Sequence, residues 1–197
     1  NVALEDVNIK GKDYTGGLVG WANKSTITNS YATGSVTGTS DYTGGLVGYA
    51  ISSTITNSYA TGSVSSKNYT GGLVGRAVSS TTITNSYATG SVTGTNYTGG
   101  LVSVTYNSTI TNSYATGKVT GTSDTGGLVG KAISSTTITN SYWNTETTGQ
   151  STSAGGGTGK TTEEMMKKET YPSSWDFENV WKIDEGKSYP TLRNIAN

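Results

Sequence analysis

The chain has 197 residues, enough for one or two ordinary domains, but only 13% are charged and 28 are glycine. Its 13 Lys plus Arg balance 13 Asp plus Glu, so no basic field exists to draw nucleic acid or anionic lipid. With no Cys and no His, a disulfide framework, a thiolate metal site and the commonest general base are all excluded, and no cofactor or catalytic residue is expected.

No apolar stretch approaches the roughly 20 residues of a membrane span. The opening Asn1-Val-Ala-Leu4 is not a signal peptide, so if the protein is exported this sequence is read as a mature fragment. Thr, Ser, Asn and Tyr dominate the remainder, a turn-rich and β-leaning alphabet that argues against disorder.

Asn1 to Lys12 reads as a partial coil, after which tandem repetition sets in. Gly-Gly-Leu-Val begins at Gly16, Gly44, Gly71, Gly99 and Gly126, and Thr-Ile-Thr-Asn-Ser-Tyr begins at Thr26, Thr54, Thr82, Thr109 and Thr137. The period is therefore 27 or 28 residues. Comparing the copies with one another predicts three strands per copy.

The first strand surrounds Leu18-Val-Gly-Trp-Ala22. Position 21 becomes Tyr49, Arg76, Val104 and Lys131 in later copies, a variety that belongs outside. Strand alternation then turns Leu18, Gly20 and Ala22 inward and leaves Val19 either outside or at a bulge. The second strand is Thr26-Ile27-Thr28, with Ile27, Ile55, Ile83, Ile110 and Ile138 stacked inward. The third runs from Tyr31 to Val36, with Ala32, Gly34 and Val36 inward and Tyr31, Thr33 and Ser35 outward. Asn29-Ser30 and the Tyr-Thr-Gly-Gly segments supply corners. Gly20 to Thr26 spans six residues and Gly75 to Thr82 seven, an insertion that a surface turn absorbs.

Stacking puts each copy about 4.8 Å from the next, with backbone hydrogen bonds along the axis and like side chains in ladders. An amyloid-like reading of the Thr and Tyr strands competes, but the glycine corners favour an intramolecular solenoid. The predicted fold is all-β: a three-sided parallel β-solenoid of about five coils over 1–150, its winding taken as right-handed, with a small α/β cap over 151–197. Trp143 stands where Ala32, Ala60, Ala88 and Ala115 stood and closes that lane. Ser151 to Gly159 reads as a linker. Thr161-Thr-Glu-Glu then carries a capping-box pattern for a short helix. Trp175, Phe177, Val180, Trp181, Ile183, Tyr189 and Leu192 supply a small core expected to dock on the last coil. The N-terminal edge is continued by further sequence, blunted by Glu5, Asp6 and Lys10, or paired with another subunit.

Tyr14-Thr-Gly-Gly-Leu-Val-Gly20 and its copies resemble the GLUG motif of bacterial surface proteins, and Ser141-Tyr-Trp-Asn with Trp175-Asp-Phe and Val180-Trp-Lys-Ile resembles the segment that often ends such arrays. This resemblance implies an extracellular or cell-surface setting, a structural or adhesive role, and no catalytic residues. The implied partners are other copies of the chain, the rest of a larger surface protein, glycans or host proteins. The fourth copy departs, with Ser103 for glycine and Thr105 for alanine, and a local bulge is expected there.

Two outward ladders are candidate binding surfaces. Thr26, Thr28, Thr54, Thr56, Thr82, Thr84, Thr109, Thr111, Thr137 and Thr139 form a hydroxyl-and-methyl grid that resembles the Thr-x-Thr face of antifreeze solenoids, against the plain reading that threonine suits strands. Tyr31, Tyr59, Tyr87, Tyr114 and Tyr142 could stack on sugar rings or simply on one another. Asp13, Asp41 and Asp124 recur at one corner, but Asn68 and Asn96 interrupt them, so no metal ladder is predicted. Glu163, Glu164 and Glu169 read as the solvated face of a helix.

Overall fold

The computed structural model describes residues 1–193 and 195. It is a parallel β-solenoid: three sheets of five parallel strands each and one ten-stranded sheet hold the coils together, and every strand of the repeats pairs with its own copy one coil away. Register is conserved residue for residue, as in Thr82, Ile83 and Thr84 opposite Thr54, Ile55 and Thr56 on one side and Thr109, Ile110 and Thr111 on the other.

The second, third and fourth coils each carry five short strands where three were expected. In the third coil these are Asn68–Gly71, Val74–Val78, Thr82–Thr84, Tyr87–Ala88 and Val92–Thr93. Two features account for the difference. The Tyr-Thr-Gly-Gly corner itself pairs as a strand, and the lane from Tyr31 to Gly38, continuous in the first coil, is broken in later coils at Gly62, Gly90 and Gly117.

Single residues in the left-handed region turn the chain. Tyr14, Tyr42, Tyr69, Tyr97 and Asp124 occupy it at one corner, with φ between 46° and 57°, and Asn29, Asn57, Asn85, Asn112 and Asn140 occupy it at another, with φ of 47–49°. Asn tolerates this region because its short side chain bonds locally; Tyr does so only where packing compensates the strain. The extra residue before Thr82 is absorbed as expected. Ser79 and Ser80 both take positive φ where the preceding coil uses Ser52 alone, while Val78 still pairs Ile51.

Leu and Val of the repeat both face inward. Leu46 and Val47 donate their N–H groups to the same carbonyl, Leu73 O, at 2.9 and 3.0 Å, and the pattern recurs in the next coils. Two residues opposite one is a bulge, which shifts the side-chain parity and turns Val19, Val47, Val74, Val102 and Val129 inside along with Leu18 and its copies. Leu46, Leu73, Leu101 and Leu128 are fully buried, packed with the Ile27 and Ala32 lanes in one continuous core.

Ser58, Ser86, Ser113 and Ser141 form a buried hydroxyl ladder beside the Asn corner. Each hydroxyl donates to the carbonyl two residues back and accepts the N–H of the serine one coil earlier, so Ser86 Oγ bonds Thr84 O at 2.8 Å and Ser58 N at 3.3 Å. The serine N–H and the carbonyl two residues before it are thereby satisfied within the protein.

The fourth coil keeps the common Leu101-Val102 bulge and shows no further one at Ser103 or Thr105. Val102–Tyr106 keeps register on both sides, and Ser103 is buried with its hydroxyl donating to the Tyr97 carbonyl. The extra atoms of Ser103 therefore find a partner instead of displacing the strand.

Both ends of the alanine lane are closed by a larger side chain. Leu4 pairs opposite Ala32, and Trp143 opposite Ala115. The stretch 151–159 is not a free linker. Gly127 N donates to Thr152 O, Ala154 N to Val129 O, and Thr158–Lys160 pairs in parallel with Tyr142–Asn144. Past it, the capping box forms as predicted: Thr161 caps the helix Thr162–Met165 and Glu164 returns the bond.

Candidate functional site: the outer ladders

The two ladders singled out in the sequence have opposite fates. The tyrosine ladder lies outside the coil interior, as the alternation required, but it is not on the surface. Tyr31, Tyr59, Tyr87, Tyr114 and Tyr142 are 1–8% exposed and form a second core with Met165, Tyr171, Trp175, Trp181, Leu192 and Ile195. The rings stack at 4.7–5.0 Å with interplanar angles of 3–8° from Tyr31 to Tyr114. Trp181 lies 6.1 Å from both Tyr87 and Tyr114.

The C-terminal segment thus runs along the flank of the solenoid instead of sitting only on its last coil. Asn112 Nδ2 donates to Ser174 O at 2.8 Å, and Trp175 Nε1 to Asn140 O at 2.9 Å. Burial pushes the Tyr87, Tyr114 and Tyr171 hydroxyls well above their ordinary range, and Tyr59 up to about 12. The faces of these rings are taken up by one another and by the C-terminal segment, not left open to solvent.

The threonine grid remains open. Thr26, Thr54, Thr137 and Thr139 are exposed; Thr28, Thr56, Thr82, Thr84, Thr109 and Thr111 are half-buried; and Ile27, Ile55, Ile83 and Ile110 anchor the sheet from beneath. The five strands pair without any register shift. Some hydroxyls meet along the ladder, Thr82 with Thr54 and Thr111 with Thr139, each at 3.3 Å.

A third ladder was missed. Tyr14, Tyr42, Tyr69 and Tyr97 stack at 4.6–5.2 Å along the axis, and Trp21 stacks on Tyr14 at 5.2 Å. Tyr49 stands edge-on to Trp21, Tyr14 and Tyr42. The guanidinium of Arg76 lies 5.6–5.8 Å from the Tyr42, Tyr49 and Tyr69 rings. The signal was present in the repeated Tyr of Tyr-Thr-Gly-Gly, but reading that block as a turn hid it.

Alignment at this corner also changes. Asn96 pairs Ser123 and Thr98 pairs Thr125, so Asp124 takes the place of Tyr97 and does not continue Asp13 and Asp41. It ends the stack: Asp124 pairs with Lys131 at 3.6 Å, and Lys131 lies 5.0 Å over the Tyr97 ring. The neighbouring column continues from Asp41 through amides, Asn68 Nδ2 to Asp41 Oδ1 at 2.8 Å and Asn96 Nδ2 to Asn68 Oδ1 at 2.9 Å. Among the described residues no group of three or more acidic side chains is placed to hold a metal.

Comparison with known proteins agrees with this architecture. The family model of the GLUG motif matches residues 13–37, 39–65, 67–93 and 94–120. A crystal structure described as "a putative immunoglobulin A1 protease" from Bacteroides ovatus is similar in fold, with a TM-score of 0.72 and 25% identity, over 98% of this chain and 68% of that one. No curated protein sequence matches. The matched repeats cover more than half of the chain and coincide with the coils, and the chain belongs to the GLUG-motif family.

Proposed function

We propose that this chain is a structural and adhesive repeat module of an exported, cell-surface bacterial protein, a short rod that carries its side faces away from a support. The observation behind this reading is the uninterrupted axial ladder. Because every coil is hydrogen-bonded to the next in constant register, stiffness runs along the rod while the outer lanes stay free to vary, as position 21 does. The GLUG family supports an exported setting, and nothing in the ladders calls for chemistry on a substrate.

Self-association, if it occurs, uses one end. Thr15–Gly16, Val19–Asn23 and Thr26–Thr28 each have a strand partner on one side only, whereas Trp143 and residues 151–160 cover much of the opposite face. Head-to-tail fibres need two open faces, so the cover over the C-terminal face disfavours them. Sedimentation and electron microscopy of the purified chain should show monomers or pairs of short rods; long fibres would overturn this reading.

A second reading is ice binding by the threonine grid, supported by five Thr-Ile-Thr strands in unbroken register that the C-terminal segment leaves uncovered. Thermal hysteresis that disappears in a Thr82→Tyr, Thr84→Tyr double variant is the expected result. No hysteresis in the parent protein sinks it.

A further inference from the structure

We propose that the lateral aromatic stack anchored by Trp21 is a binding platform for a neutral polysaccharide chain lying along the rod.

Exposure on this molecule is unevenly distributed. Among the described residues the exposed large hydrophobic side chains are Val2, Tyr14, Trp21 and Tyr106, and Trp21, at 56%, is the most open of them. The other three tryptophans, Trp143, Trp175 and Trp181, are 0–6% exposed. Trp21 is held in place by stacking on Tyr14 and by the perpendicular ring of Tyr49, at an interplanar angle of 89°. A rigid indole placed this way has given up its rotamer freedom before any ligand arrives.

What lies beside it selects the ligand. Tyr14 is stacked between Trp21 and Tyr42 and the other tyrosines occupy one another's faces, so the open apolar face belongs to Trp21, and the rest of the stack presents ring edges and phenol hydroxyls. The Tyr42 hydroxyl accepts from Arg76 Nη1 at 3.4 Å, whereas those of Tyr14, Tyr49, Tyr69 and Tyr97 have no hydrogen-bond partner among the described residues. An apolar plate at one end and a row of hydroxyls for about 15 Å along the axis match a linear polyol with apolar C–H faces, which is a sugar chain.

Other ligand classes fit less well. A quaternary ammonium cage needs a gap between rings, but these rings are in mutual contact and Arg76 already lies over them. A protein interface core is depleted in Ser and mixes aliphatic with aromatic anchors. Here, among the described residues, Val2 is the one exposed large aliphatic side chain, and the column beside the tyrosines is the polar Asp41, Asn68 and Asn96. The charges of the strip are already engaged: Lys131 pairs with Asp124, the Arg76 guanidinium lies over the Tyr42, Tyr49 and Tyr69 rings, and Asp41 accepts from Asn68 Nδ2. This points to an uncharged glycan.

Because the other tryptophans are buried, acrylamide-accessible emission of the intact chain reports Trp21. The chain is titrated with neutral oligosaccharides long enough to span the stack, representing gluco-, manno-, xylo- and N-acetylglucosamine polymers, and quenching is followed. At least one series is expected to protect Trp21, with affinity rising with chain length. Trp21→Ala should weaken retention in affinity electrophoresis by about tenfold or more, and Tyr69→Phe, which removes one hydroxyl and keeps the ring, by severalfold. Thr120→Ala, on the separate ten-stranded sheet, should change nothing. The proposal fails if no series protects Trp21 at millimolar concentration while circular dichroism shows a folded chain. It fails equally if binding survives Trp21→Ala, or if only an anionic glycan or a folded protein binds.

Discussion

The Tyr114 hydroxyl donates a 2.6 Å hydrogen bond to the carbonyl of Pro190, 76 residues further along the chain. The bond is buried and joins the middle of the tyrosine ladder to the segment that covers it. Tyr114→Phe keeps the ring stack but leaves that carbonyl without a donor, at a cost of about 1–3 kcal/mol. Thermal denaturation should show a fall of about 2–4 °C for each kcal/mol at this chain length.

Trp181→Ala tests whether the flank and the coil interior are separable. The indole is fully buried against Tyr87, Tyr114 and Trp175, so truncation should cost about 3–5 kcal/mol. The coil core is a distinct cluster without Trp181. Limited proteolysis should therefore release the segment after 160 first, while strand circular dichroism persists.

Alkaline pH should loosen the same flank. A phenol in an unfolded chain ionises near 10, and burial raises the folded values of Tyr87, Tyr114 and Tyr171 above that, with Tyr59 at about 12. A raised folded value means that the stabilisation is complete below about pH 10 and is lost as pH climbs from there through the folded values. Phenolate absorbance of the buried rings should rise together with the loss of near-ultraviolet dichroism. Titration of all tyrosines near 10 in a still-folded protein would contradict the covered ladder.

Gly72→Ala should be among the most damaging small substitutions. A Cβ there would strike the Gly100 carbonyl and come within 2.9 Å of Ala88 Cβ, and Gly17, Gly45 and Gly100 stand in the same column under the same restriction. Neither contact is a flexible side chain, so the strand must shift, at about 1–3 kcal/mol. Urea denaturation measures it.

Ser86→Ala removes the acceptor of Ser58 N–H and the donor to Thr84 O together. With Ser58 N–H buried and the Thr84 carbonyl partly so, the expected loss is about 1–3 kcal/mol, and Ser86→Thr should recover part of it. An effect below a few tenths would mean the serine ladder is idle.

Much of the coil was legible because the copies annotate one another. Ile27 and its copies, the Trp143 stop, the Asn29 corner and the place of the inserted residue at Ser79–Ser80 all follow from comparing like positions 27 or 28 residues apart. Val19 could not be placed, since a bulge is a property of backbone pairing and leaves no mark on an alternating pattern. Tyr69 was hidden for a related reason: strand pairing continues through its left-handed turn.

The sequence by itself determined the repeat, its core lanes and the capping-box helix, because each of these is a local or strictly periodic demand. Only the tertiary structure decided which outer ladder meets solvent. The Tyr31–Tyr142 and Tyr14–Tyr97 ladders are alike in residue type and spacing, and nothing periodic separates them. One is covered because Trp175, Trp181 and Leu192 dock there once, through contacts that do not repeat. Apolar content sets how much surface that segment must bury, but the place is chosen by shape and by single long-range bonds such as Tyr114 to Pro190. The other aromatic stack is left with Trp21 open to solvent.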